Sequence, residues 1–148
     1  MPVQNPLWSD MDTWSSRLTD APGVYKIIAL GKNGRPNPLS RVGGVDKSGV
    51  LYIGRSGTLR HRLKTLRRML FLGAERGAVA GLTYMASLPI QRLVPRHQLA
   101  FQFEHCVDCG TRERDLIRDY FKKFGEVPPL NGRAEFIVPD ADYRVTCH

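Results

Sequence analysis

The chain has 148 residues, of which 42% are hydrophobic and 24% charged. That is one domain's worth of sequence with ordinary globular composition, which excludes disordered, collagenous and coiled-coil classes. Lys and Arg total 22 against 14 Asp and Glu, a net charge of +8. A surplus of one sign on so small a surface favours a polyanionic partner such as nucleic acid.

No apolar run reaches the roughly 18 residues a membrane-spanning helix needs. The N-terminus, Met1-Pro2-Val3-Gln4-Asn5-Pro6, lacks the basic and apolar segments of a signal peptide. Three cysteines suit a reduced protein better than a disulfide framework. A cytoplasmic location is expected.

In chain order, residues 1–20 read as a polar lead-in anchored by Trp8 and Trp14. Ala21-Pro22-Gly23 is a turn, and the β-branched and aromatic residues 24–30 form a strand. Residues 31–49, rich in Gly and Pro, read as a loop insertion, and Val50-Leu51-Tyr52-Ile53-Gly54 as a second strand pairing antiparallel with the first. Lys32, Arg35, Arg41 and Lys47 in the insertion either touch nucleic acid or decorate a mobile loop.

From Leu59 the period turns helical. Leu59, Leu63, Leu66 and Leu70 form one apolar stripe, while Arg60, Lys64, Arg67 and Arg68 point elsewhere as candidate nucleic-acid contacts. Residues 74–88 read as helix, and Pro89 and Pro95 bracket a connection. Residues 99–107 alternate at period two, a strand with Phe101 and Phe103 inward. A last helix spans residues 111–124, with Thr111 as N-cap and Gly125 as stop. Phe136-Ile137-Val138 adds a short edge strand.

One residue breaks the last helix's pattern. On a helical wheel with Leu116 at zero, the apolar side chains span roughly 0° to 140°, and Glu113 falls near 60°. A carboxylate on a buried face is costly unless paired, hydrogen-bonded or metal-bound. Two readings stand. Glu113 either serves a site, or it sits in the first turn of a helix capped at Gly110, stabilised by the dipole and the cap N–H. On the basic helix, Arg62 borders the apolar stripe, placed either to enter a cleft or to cover apolar surface with its stem.

Taken together, these residues resemble the GIY-YIG nuclease family. Gly23-Val24-Tyr25 stands at the first tripeptide, and Tyr52-Ile53-Gly54 matches the second. Arg62, eight residues after Gly54, matches the helix arginine. Glu113 with Leu116-Ile117, and Pro128-Pro129-Leu130-Asn131, match the glutamate and the closing Pro-x-x-Asn. The resemblance implies an α+β fold, a small three-stranded antiparallel sheet flanked by helices. Its domain would cover residues 21–132, followed by an extension at 133–148.

The resemblance also implies a metal-dependent endonuclease acting on DNA. Glu113 would hold a single Mg²⁺ or Mn²⁺. Tyr52, and with it Tyr25, would contact or deprotonate the attacking water, and Arg62 would bind the scissile phosphate. Asn131 would hold the site together. Apart from the resemblance, Arg55 directly follows the tripeptide and is a candidate phosphate contact. Arg62 and the metal would favour the tyrosine phenolates.

Three features depart from the family pattern. The 26 residues between Tyr25 and Tyr52 make a long link, Leu66 stands where many members carry His or Tyr, and the run from Glu113 to Asn131 is slightly long through Phe124-Gly125-Glu126-Val127. A catalytically silent nucleic-acid-binding module, or a subunit whose cut depends on a protein partner, are the alternatives. A single site cuts one strand, so a double-strand break calls for a homodimer or two encounters. His105, Cys106, Cys109, Cys147 and His148 could be assembled into a zinc site, but reduced thiols and a strand histidine are the expectation.

Overall fold

The most apolar segment of the chain becomes the central strand. The computed structural model describes residues 3–5, 17–72, 84 and 88–131. In it β1 (Gly23–Ala29) is buried on both faces along nearly its whole length, which explains its continuous rather than alternating apolar pattern. It pairs antiparallel with β4 (Val50–Ser56) on one side and β5 (Leu99–His105) on the other, giving the order β4-β1-β5. The architecture is α+β, a three-stranded antiparallel sheet with helices on both faces.

Between Ile27 and Ile28 the register against β4 slips, pairing Ile27 with Tyr52 and Ile28 with Val50. Leu51 is the extra residue of this bulge, which re-aims the strand. Leu51 therefore joins the core on one face, and Ile53 the core on the other.

Helix α1 (Leu59–Leu72) covers the first face. Leu59, Leu63, Leu66 and Leu70, the stripe read from the sequence, are fully buried against Tyr25, Ile27 and Phe101. Helix α3 (Cys109–Phe124) covers the second, packing Ile117, Tyr120 and Phe124 on Ile28, Val50 and Ile53. Phe101 of β5 is fully buried and Phe103 is partly buried.

Four expectations are corrected. Residues 31–49 are not a structureless loop: they contain a second sheet, β2 (Leu39–Arg41) paired with β3 (Gly44–Asp46). The stretch bracketed by Pro89 and Pro95 holds a short helix, α2 (Leu88–Leu93), followed by a 3₁₀ turn at Arg96–Gln98. The cap of α3 is Asp108 rather than Thr111; its carboxylate accepts from the Thr111 amide, so the helix begins two residues before Thr111. Cys106 and Cys109 are joined in a disulfide instead of standing as free thiols, which removes the argument from cysteine count for a reducing compartment.

Gly125, in the left-handed conformation (φ 74°), ends α3 as expected. Trp8, Trp14, the edge strand at residues 136–138, the extension at 133–148 and all but two residues of the helix expected at 74–88 lie outside the described residues. Those two are Tyr84, buried and donating its hydroxyl to the Val94 carbonyl, and Leu88 at the start of α2. Among the described residues no helix is long and apolar enough to cross a membrane.

The insertion is pinned to α3. Asp46, completely buried, accepts hydrogen bonds from the amides of Ser48 and Val50 and from the hydroxyls of Ser48 and Tyr120. The Arg41 Nε lies 3.0 Å from a Glu126 carboxylate oxygen, and another of its guanidinium nitrogens donates to the Val127 carbonyl. Arg41 is thus an anchor for the hairpin.

Candidate functional site

Three elements supply the cluster on the α1 side of the sheet. β1 brings Tyr25, β4 brings Tyr52 and α1 brings Arg62. The tyrosine rings lie 5.9 Å apart between centroids. Across the ladder Tyr25 pairs with Gly54, not with Tyr52, so the rings are diagonal neighbours on one face. Gly54 makes room for them. A Cβ there would sit 2.5 Å from Tyr52 Cε1 and 2.8 Å from the Tyr25 hydroxyl oxygen.

The Tyr25 hydroxyl is buried and makes no well-aligned hydrogen bond, although the Arg62 guanidinium and the Tyr52 hydroxyl lie within bonding reach of it. A buried polar atom left unsatisfied is costly and calls for an explanation. Burial, reinforced by Tyr52, pushes the Tyr25 hydroxyl well above the ordinary tyrosine range, and the nearby Arg62 charge does not overcome it. Tyr52 is also raised, by burial first and then by the charge of Glu113. Arg62 does draw both tyrosines toward phenolate, as expected, but burial outweighs its pull. In this arrangement both are neutral hydroxyls, able to donate or accept a hydrogen bond.

Glu113 comes from the other helix. With Asp108 as cap it is the fifth residue of α3, past the first turn, and it lies on the face that buries Cys109, Ile117, Tyr120 and Phe124. The first-turn capping explanation does not hold for it. Its side chain is 14% exposed, and Arg55 approaches from β4 with Nε 3.7 Å from Oε1. Burial raises the Glu113 carboxyl above its ordinary range, opposed by the Arg55 charge.

Arg55 and Arg62 line one hollow together with Ser56, Asp108 and Gly110. Two guanidiniums converging beside a helix start make a chemically sensible seat for an anion. Gly110 lies beside the Arg55 guanidinium, which a larger residue there would push aside.

Asn131 lies at the β4 edge. Its side-chain oxygen accepts from the Ile53 amide and its side-chain nitrogen donates to the Ile53 carbonyl, each at 2.9 Å. The Leu130 amide also donates to the Leu51 carbonyl. The closing segment thereby occupies the free edge of the strand that carries Tyr52 and Gly54.

The structure thus brings Tyr25, Tyr52 and Arg62 into contact range, with Glu113 within electrostatic reach of Tyr52. Arg60, Lys64, Arg67 and Arg68 are not brought to this cluster. On the α1 wheel they form a stripe centred roughly 170° from Arg62. Missed by the sequence reading were Asp46, hidden in a Gly-rich stretch that reads as a turn, and the pairing of Cys106 with Cys109. The spacing Cys-x-x-Cys at a strand–helix junction was the available signal for the latter.

A cation at Glu113 is chemically reasonable. The carboxylate is partly buried, faces Arg55, which lines the basic hollow, and makes no hydrogen bond among the described residues. No group of three or more His, Cys, Asp and Glu side chains converges on a metal position among the described residues, so protein ligation would be sparse. Mg²⁺ tolerates this, keeping several of its waters. No protein-family model, curated protein or solved structure matches the chain.

Proposed function

We propose that this protein is a metal-dependent endonuclease of the GIY-YIG type that hydrolyses DNA phosphodiester bonds. The observation that carries the reading is the buried, unsatisfied Tyr25 hydroxyl beside Tyr52 and Arg62, with Glu113 facing the same region from α3. A buried hydroxyl without a well-aligned partner, beside an arginine and a second hydroxyl, is suited to being completed by a bound group.

Phosphodiester hydrolysis needs a positioned water, positive charge on the non-bridging oxygens and help for the leaving alkoxide. Arg62, with Arg55 beside it, would grip the scissile phosphate. Tyr52, the less buried of the two tyrosines, would orient the attacking water, and Tyr25 would complete its hydrogen bond to that water or to a phosphate oxygen. Glu113 would hold a Mg²⁺ or Mn²⁺ ion, which supplies charge stabilisation and lowers the pKa of bound water. Asn131 would keep β4, and hence Tyr52, in place.

The net charge of +8 supports DNA as the partner. With the α1 basic stripe far from Arg62, that stripe would meet a second DNA segment, another copy of the chain or a protein partner supplying target specificity. Nicking of supercoiled plasmid by wild type and by Glu113→Ala, with Mg²⁺ and with EDTA, tests the reading. Cleavage is expected only for wild type with metal, the variant being slower by about 10²-fold or more. Equal nicking by both proteins would overturn the role of Glu113. Salt-sensitive DNA binding without cleavage would replace the enzyme with a binding module or a partner-dependent subunit.

A further inference from the structure

The disulfide lies where the candidate site is most exposed to rearrangement. Cys106 follows the last residue of β5, Cys109 opens α3, and two residues link them. Glu113 is one helical turn beyond Cys109, on the same buried face. The Cys106 amide donates to the Pro22 carbonyl, so the β5 end of the link is fixed to the residue preceding β1. On the other side Asp108 caps α3, and Gly110 packs against the Arg55 guanidinium. The bond thus ties a fixed point of the sheet to the start of the helix that carries Glu113, beside the Arg55 guanidinium.

Two hollows flank this link. One, lined by Ala21, Pro22, His105, Cys106 and Val107, opens at Cys106. The other is the arginine hollow, which Cys109 also lines. Cys106 is partly exposed and Cys109 only 9% exposed, so an incoming thiolate reaches the Cys106 sulfur more readily. Either redox state is accommodated at Cys109, because its sulfur lies 3.2 Å from the Cys106 carbonyl oxygen, which can accept from a free thiol.

We propose that Cys106–Cys109 is a redox-modification site that takes a dithiol as co-reactant and thereby controls the arginine hollow. A thiolate of the dithiol attacks Cys106 Sγ, and Cys109 Sγ leaves with the bonding electron pair. That leaving thiolate forms at the start of a 16-residue helix, where the dipole stabilises it. The second thiolate of the dithiol then attacks the mixed disulfide and expels Cys106. The reagent is oxidised to its disulfide, and the protein gains two electrons and two protons. With the ring open, residues 107 and 108 relax, the Asp108 cap loosens, and the start of α3, which lines the arginine hollow, shifts. The oxidised state is the anion-binding one. The effect on DNA rests on the nuclease reading above; the redox chemistry does not.

The test uses the full chain carrying Cys147→Ser, so that one cysteine pair remains. The protein is equilibrated in buffers of graded glutathione ratio, quenched with acid and alkylated, and the oxidised fraction is read by mass. A single two-electron transition without denaturant is expected. Amide hydrogen exchange at Thr111, Arg112 and Glu113 should be faster after reduction with dithiothreitol. Binding of a short labelled DNA duplex in EDTA should weaken by about fivefold, near the lower end of couplings between linked sites. Cys106→Ser should behave as the reduced form under all conditions.

Cysteines that react only after unfolding, or that never pair, would overturn the proposal. So would identical exchange in the two states. Altered exchange with no DNA binding in either state would leave the switch standing and remove the nucleic-acid reading instead.

Discussion

Tyr25 on β1 and Tyr120 on α3 are both buried tyrosines, and burial pushes both hydroxyls far above the ordinary range. Their surroundings differ. Tyr120 donates at 2.9 Å to Asp46, itself completely buried and accepting from three further donors, so this hydroxyl and this carboxylate are both satisfied. Tyr25 has an arginine and a second tyrosine for neighbours and no well-aligned hydrogen bond to either. The first arrangement is how a fold holds itself together; the second is how a fold waits for something else. The contrast separates structure from function without any appeal to ancestry.

The anchor should fail most visibly. Asp46→Ala strands the Val50 amide and the Tyr120 hydroxyl in the interior and frees the β2–β3 hairpin from α3. A loss of about 3 kcal/mol is expected from these stranded groups, measurable as a lower midpoint in urea. A loss within experimental error would mean that the hairpin detaches without cost and that water replaces the carboxylate.

Much of this geometry was visible in the residues alone. The leucine period of α1, the apolar run of β1 and the misplaced charge at Glu113 each follow from a local pattern, because burial of a helix or strand face imposes its period on the sequence. Asp46 left no such trace. Its role depends on Tyr120, 74 residues away, and a strand of three residues that itself begins with glycine has no periodicity to read. The α3 cap was misplaced for a related reason. Asp108 and Thr111 are both good capping residues, and the Asp108 carboxylate accepts from Thr111 itself. The charge of Arg62 suggested tyrosine phenolates, but the extent of Tyr25 burial, which decides the matter, is a property of the packed sheet.

Paired tyrosine variants sharpen the comparison at smaller cost. Tyr120→Phe removes one of four donors to a buried carboxylate and should destabilise by about 1–2 kcal/mol, with nicking per folded molecule unchanged. Tyr25→Phe removes a hydroxyl that has no well-aligned partner. Its stability should match wild type or exceed it slightly, while nicking falls by about tenfold or more, as when a positioned catalytic group is lost. If Tyr25→Phe destabilises as much as Tyr120→Phe, the hydroxyl has a structural partner and the proposed division between the two regions fails.

The smallest effect concerns Glu113, and its sign is informative. Burial raises this carboxyl above its ordinary value in the folded protein, and the Arg55 charge only partly opposes that shift. A raised folded-state value means that Glu113 favours folding fully at pH below its unfolded value of about 4.5. That contribution is lost as pH rises through the folded value. Glu113→Gln carries no such proton and escapes the loss. Urea midpoints at pH 4 and pH 7 should therefore show the variant gaining on wild type between the two, even though its nicking is abolished. A residue that costs stability when charged and is indispensable when DNA is cut belongs with Tyr25, on the functional side of the comparison. If wild type instead gains on the variant at pH 7, the Arg55 pairing outweighs desolvation, and Glu113 belongs with Asp46 among the groups that hold the fold.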